Sequence, residues 1–195
     1  MTDQVSEPHQ LERPVDGWTV ADLDRWPESL VRYELTDGAL TVSPSPSSLH
    51  QAVSGRLFAR LDTACPDDLA VTQAVEIRFG PTLTRIPDLL VVRSTEPGRH
   101  WFSPEEVLLA VEIESPGSHV EDRIVTPSIY SAHGIPAFWR IELDPIRARR
   151  HAIDPGAAVG TIGYRELDGP EDRLVADEPV PLDVALRDLL PGWAR

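Results

Sequence analysis

Two short apolar runs limit the fold more than any other feature of the chain. Leu89-Leu-Val-Val92 follows Pro87-Asp88, and Val107-Leu-Leu-Ala-Val111 runs on into Glu112-Ile-Glu114. Neither alternates with polar residues along its apolar stretch, and both are bounded by turn signals, so they read as strands. The second is most simply a central strand with acids at its end. Helical and strand patterns alternate around them, which predicts a mixed α/β or α+β domain with one main sheet.

The flanking pattern supplies candidates for the rest. Thr19-Val-Ala-Asp22 resembles a capping box and predicts a short helix over 19–26. Residues 32–35 and 39–42 predict a β-hairpin around Asp37-Gly38. Ser48 is the expected N-cap of an amphipathic helix carrying Leu49, Val53, Leu57, Phe58 and Leu61, stopped by Pro66. Alternation over 69–79 predicts one strand, and 93–106 reads as a loop. A helix is expected over 122–133, either starting near Thr126 with Pro127 in its first turn or kinked there. Residues 135–142 and 148–153 read as a strand pair. Edge strands are expected at 164–167 and near Leu174, and a terminal helix over 182–190. Residues 1–17 read as a flexible N-terminus, and 18–195 as a single domain.

Composition enters through charge. The 195 residues carry a formal net charge of −14, and all 18 basic residues are arginine, with no lysine anywhere. Such a chain is repelled by nucleic acid except where a local basic groove or a metal ion intervenes. No stretch nears the roughly 18 apolar residues of a membrane span. The polar, acidic opening lacks the apolar core of a signal peptide, so the expectation is a cytoplasmic protein. The lone Cys65 offers neither a disulfide framework nor a cysteine zinc site.

The chemistry-bearing residues are acids. Glu112 and Glu114 stand two apart and share one face of a strand. If the strand that follows Asp88 is a neighbour, three carboxylates meet at one sheet edge. Oxygen ligands of this kind suit Mg2+ or Mn2+, which in turn activates water and holds a phosphoryl group. Acids solvated at strand ends are the plainer alternative. Arg147, Arg149 and Arg150 form the only basic cluster, either a phosphate-binding patch or a solvated strand face.

Several motifs occur in one order: Tyr33-Glu-Leu-x-Asp-Gly-x-Leu40, Ser43-Pro-Ser-Pro with His50 following, Pro87-Asp88, Val111-Glu-Ile-x-Ser-Pro-Gly-Ser118, Asp122-Arg123 with Tyr130, and Gly134-Ile-Pro-x-Phe-Trp139. This pattern resembles the Uma-type restriction endonuclease family of the PD-(D/E)xK nuclease superfamily, from about Trp18 to Trp193. The resemblance implies a central mixed β-sheet flanked by helices and a metal-dependent endonuclease that hydrolyses DNA phosphodiester bonds. It implies Asp88 and Glu112 as metal-binding acids for Mg2+ or Mn2+, with Glu34 joining from the N-terminal hairpin and Tyr130 packing on a helix. His50 matches a histidine at the start of the long helix, either a substrate-binding or catalytic group or a helix-end histidine.

Two departures from that pattern matter. The superfamily's lysine falls either at Glu114 or, more often in this family, at Thr126, and neither residue supplies positive charge. Arg123 is the candidate substitute on the substrate side, or else an ion-pair partner of Glu121 or another acid. Glu114 is a further metal ligand or a charge that weakens the site. The alternative function is therefore an inactive nuclease-fold protein that binds or assembles. A homodimer is expected, with Ile135-Pro-Ala-Phe-Trp139 as the candidate contact and two-fold symmetry suited to cutting two strands.

Overall fold

The computed structural model describes residues 14–26, 32–42, 45–93, 96–115, 117, 119–158 and 162–195. The expected flexible segment falls mostly on residues 1–13, outside the described residues.

Thr19 caps the first helix, α1 (Val20–Leu23), through the reciprocal bonds with Asp22 that the capping box predicts. The hairpin follows as β1 (Tyr33–Thr36) and β2 (Ala39–Val42), with Asp37 and Gly38 both at positive φ in the turn. Helix α2 (Ser48–Ala64) is capped by Ser47, one residue before the expected cap, whose hydroxyl accepts from the His50 N–H.

The run over 69–79 is two strands rather than one. β3 (Ala70–Gln73) joins the main sheet, whereas β4 (Glu76–Gly80) joins a second sheet with β5 (Leu83–Arg85). The chain switches sheets at Ala74, which takes φ 55° and donates its N–H to the Asp88 carbonyl. Alternation alone carries no mark of such a switch, because both strands keep the period of two.

β6 (Leu89–Val92) and β8 (Val107–Ile113) lie inside the main sheet. All four side chains of β6 are fully buried, as strands covered on both faces require. Between them β7 (Trp101–Phe102) pairs with β4. After β8 comes a π-helical segment, Glu121–Val125, and then α3 (Thr126–Ala132), so Pro127 stands in the first turn of the α-helix. The crossover returns to β9 (Ala137–Leu143), parallel to β8. β10 (Ile146–Ile153) and β11 (Tyr164–Leu167) complete a mixed sheet in the order β11-β10-β9-β8-β6-β3.

The expected helix over 182–190 is instead β13 (Leu182–Ala185), paired with β12 (Arg173–Ala176), followed by the short α4 (Leu186–Leu189). Leu182, Val184 and Leu186 bury alternate positions, and a ready partner strand lets that period of two prevail.

Two cores cover the sheet. Leu89, Val91, Leu109, Val111 and Ile113 pack with Val53, Leu57 and Leu61 of α2 and with the α4 region. Leu90, Val92, Ala110 and Phe138 pack with Tyr130 of α3 and Ile77 of β4. Ile135, Phe138 and Trp139 belong to these cores, so the segment expected to make a dimer contact is interior. Among the described residues no helix is long and apolar enough to cross a membrane.

Candidate active site

Asp88 immediately precedes β6, and Glu112 is the last residue but one of β8. The register Leu89 to Val111 and Leu90 to Ala110, carried one step outward, sets these two acids beside each other. Asp88 Oδ2 accepts the Ile113 N–H at 2.8 Å, so a side chain takes over the ladder where the strand begins. The same oxygen lies 3.0 Å from His50 Nε2, in the first turn of α2. His50 is buried and its Nδ1 has no hydrogen-bond partner among the described residues. A carboxylate partner makes Nε2 the donor, so His50 holds Asp88 from the α2 side of the sheet.

Glu112 faces the other side. Tyr130 on α3 donates its hydroxyl to Glu112 Oε1 at 2.7 Å. Burial, and then the charges of Asp88 and Asp122, push the Glu112 carboxyl well above the usual range; Glu34 adds to the lift, and only the Tyr130 bond opposes it. Burial beside Glu112 likewise holds the Tyr130 phenol well above its ordinary value, so it stays a donor. Glu34 comes in from β1, and its Oε1 accepts the Ile86 N–H at 2.6 Å. Burial raises its carboxyl too, against the pull of that N–H and of Arg85.

Asp122, Thr126 and Tyr130 are spaced four apart and all are buried. They form the inward face of the π-helical segment and α3. Thr126 thus stands between an acid whose charge bears on Glu112 and the tyrosine bonded to it.

Glu114 points to the same side as Glu112 but does not join it. Arg123 takes both of its oxygens, from Nε to Oε1 and from Nη2 to Oε2 at 2.8 Å. His119 Nδ1 lies 3.3 Å and Arg140 Nε 3.8 Å from Oε1. The Arg123 bond is the main reason that the Glu114 carboxyl falls below its ordinary value. The expected meeting of Asp88, Glu112 and Glu114 therefore becomes a group of Asp88, Glu112, Glu34 and Asp122, with Glu114 in an arginine cluster next to it. Arg123 pairs with Glu114 rather than Glu121, whose carboxylate accepts Arg85 at 3.1 Å.

Sequence reasoning gave no role to Arg85 or Asp122. Arg85 is 2% exposed and donates to the Leu35 carbonyl at 3.0 Å and the Thr84 carbonyl at 2.7 Å. It is a buried cation bearing on Glu34 and Tyr130. Its position three residues before Asp88 carried no signal, whereas Asp122 could have been found from its spacing to Thr126 and Tyr130.

Among the described residues no three His, Cys, Asp or Glu side chains are arranged as a ready metal cage. The donor set nevertheless fits a hard cation. Asp88 Oδ1 and Glu112 Oε2 carry no hydrogen bond among the described residues, and the charges of Asp88, Asp122 and Glu34 bear on Glu112. Mg2+ commonly takes one or two carboxylates and completes its shell with water and phosphate oxygen.

The family model described as "Uma2: Putative restriction endonuclease" matches residues 20–187. A crystal structure titled as a "putative nuclease belonging to DUF820", from Anabaena variabilis, is similar in fold, with a TM-score of 0.64 and 20% identity. That likeness covers 91% of this chain and 99% of the other. A search of curated proteins finds no match.

Proposed function

The chain belongs to the Uma2 restriction endonuclease family, and from that premise we propose that it is a slow, divalent-cation-dependent endonuclease acting on DNA phosphodiester bonds. The observation that carries this reading is the placement of Asp88 and Glu112 side by side on adjacent strands, with one oxygen of each carboxylate open among the described residues. Asp88 and Glu112 would hold Mg2+ or Mn2+, with Glu34 assisting. The bound cation would supply charge neutralisation at the phosphate and lower the pKa of a water.

The protein's own groups prepare that site. His50 and the Ile113 N–H fix one oxygen of Asp88 and so orient the other. Tyr130 does the same for Glu112. Thr126 holds the lysine position without a charge. Arg123 is committed to Glu114, and Arg85 is tied to backbone carbonyls and Glu121. The positive charge that normally faces the scissile phosphate is therefore weak, and a loss of this kind costs about 3 kcal/mol of transition-state stabilisation. The same feature supports a second reading, an inactive member of the family that binds or assembles. Two-fold symmetry suits the cutting of both strands of a duplex, and light scattering at micromolar concentration tests for the homodimer.

The deciding experiment is a cleavage assay on supercoiled, linear and single-stranded DNA with Mg2+, with Mn2+ and with chelator. Weak cleavage that needs the cation and disappears in Asp88→Ala is the expected result. No cleavage of any form under any cation would leave the binding reading in its place.

A further inference from the structure

The main sheet carries a second charged feature on the face that holds Glu112. Glu112 is in register with Arg140 on β9, and Arg140 is in register with Arg149 on β10. Three adjacent strands thus present Glu112, Arg140 and Arg149 at one level. With strands about 4.8 Å apart, Arg149 stands roughly 10 Å from the Glu112 column. Arg147 lies two residues before Arg149 and shares its side by alternation. Arg123 reaches toward this area from the π-helical segment, 3.9 Å from Glu142.

Arginines set directly opposite each other across an antiparallel pair repel, so this row needs anions. The protein provides only part of what is needed. Glu142 accepts from Arg140 at 3.0 Å, Glu166 from Arg149 at 3.0 Å, and Glu114 from Arg123. Arg147 is exposed and has no ion-pair partner among the described residues. With Glu112 in the row, four arginines stand among four glutamates, a charge-balanced patch in a chain of net −14, and Arg147 is the one left without a direct pair among the described residues.

The outermost of these pairs is also easy to exchange. The Arg149 and Glu166 side chains are 35% and 50% exposed, and a pair in that setting contributes about 0–1 kcal/mol. A phosphate offers the guanidinium a bidentate partner instead. β11 pairs with β10 only from Arg150 onward, so the outer edge of Ile146–Arg149 has no strand partner among the described residues, and Arg147 is exposed there.

We propose that the Arg140–Arg149–Arg147 row is a backbone track that seats the phosphates of a DNA strand next to the Asp88–Glu112 acids. This deepens the nuclease reading and rests on it for the identity of the strand. The contacts go to phosphate, so binding is insensitive to base sequence.

The test measures fluorescence anisotropy of a fluorescein-labelled single-stranded DNA oligonucleotide, titrated with the full chain at several salt concentrations. The background is Asp88→Ala, which prevents cleavage. Adding Arg147→Ala and Arg149→Ala should weaken binding about tenfold or more and lower the salt slope by about 1–2. Arg25→Ala with Arg60→Ala, which removes the same charge from exposed positions elsewhere, should leave both unchanged. Equal losses in the two double variants, an unchanged affinity in the first, or no binding at low salt would overturn the track. The two readings fail separately. Arginine-dependent binding without cleavage by the wild type removes the nuclease and keeps the track. Cleavage with an unchanged KM in Arg147→Ala with Arg149→Ala removes the track and keeps the nuclease.

Discussion

Glu112 and Glu114 stand two residues apart on one side of one chain segment, yet they have opposite electrostatic character. Glu112 meets three other acids and a phenol, and its carboxyl is lifted by burial and like charge. Glu114 meets Arg123, His119 and Arg140, and its carboxyl is lowered. Strand period decides that both point to the same side. It does not decide what they meet there, because those partners arrive from α3, β1, β9 and the π-helical segment. The difference separates a carboxylate set among like charges from one held by cationic side chains.

The largest test of this contrast is the response to metal. Millimolar Mg2+ or Mn2+ should raise the melting temperature, since a ligand at a hundredfold excess over Kd stabilises by about 2.7 kcal/mol. Asp88→Ala and Glu112→Ala should abolish both the rise and cleavage. Glu114→Gln should retain the rise, and its loss in that variant would break the contrast between the two glutamates.

Thr126→Lys tests the missing charge. An ammonium introduced between Asp122 and Tyr130 should increase cleavage about a hundredfold, the equivalent of about 3 kcal/mol. A brisk wild-type rate left unchanged by the substitution would show that another cation, with Arg85 or Arg123 first in line, already acts there.

A smaller effect concerns pH without metal. Glu112 binds its proton more tightly folded than unfolded, so its ionisation opposes folding. Stability is retained below the ordinary glutamate range near 4.5 and falls as pH rises from there through the raised folded pKa. Glu112→Gln should remove that part of the slope and stabilise the metal-free protein at neutral pH by on the order of 1 kcal/mol. Urea melts of both proteins across pH 4–8 read the difference.

The smallest effect is the reverse one at Glu114. Its lowered carboxyl stabilises the fold above the ordinary glutamate range, and that contribution is lost as pH falls through the lowered value. Glu114→Gln should therefore destabilise modestly at neutral pH, and the gap to wild type should close in acid.

Local chemistry was enough for the elements whose ends are written in side chains. The capping box at Thr19, the Asp37-Gly38 turn and the long helix stopped at Pro66 follow from bonds or steric limits within a few residues. The apolar runs of β6 and β8 could satisfy their side chains only inside a sheet, and the order of the short motifs was enough to indicate the family. The register of Asp88 with Glu112 was within reach for the same reason, since it depends on two neighbouring strands.

Other outcomes belonged to the tertiary structure. The sheet switch at Ala74 leaves the alternation of 69–79 intact, so nothing local marks it. Leu182–Ala185 became a strand because β12 was available as a partner. Arg123 closed on Glu114 and left Glu121 to Arg85, a partner that β5 brings from 36 positions away. Charge acts over several ångströms in space and is blind to sequence distance. The character of each acid was therefore decided only when α3, β1 and β9 had brought their own charges to it.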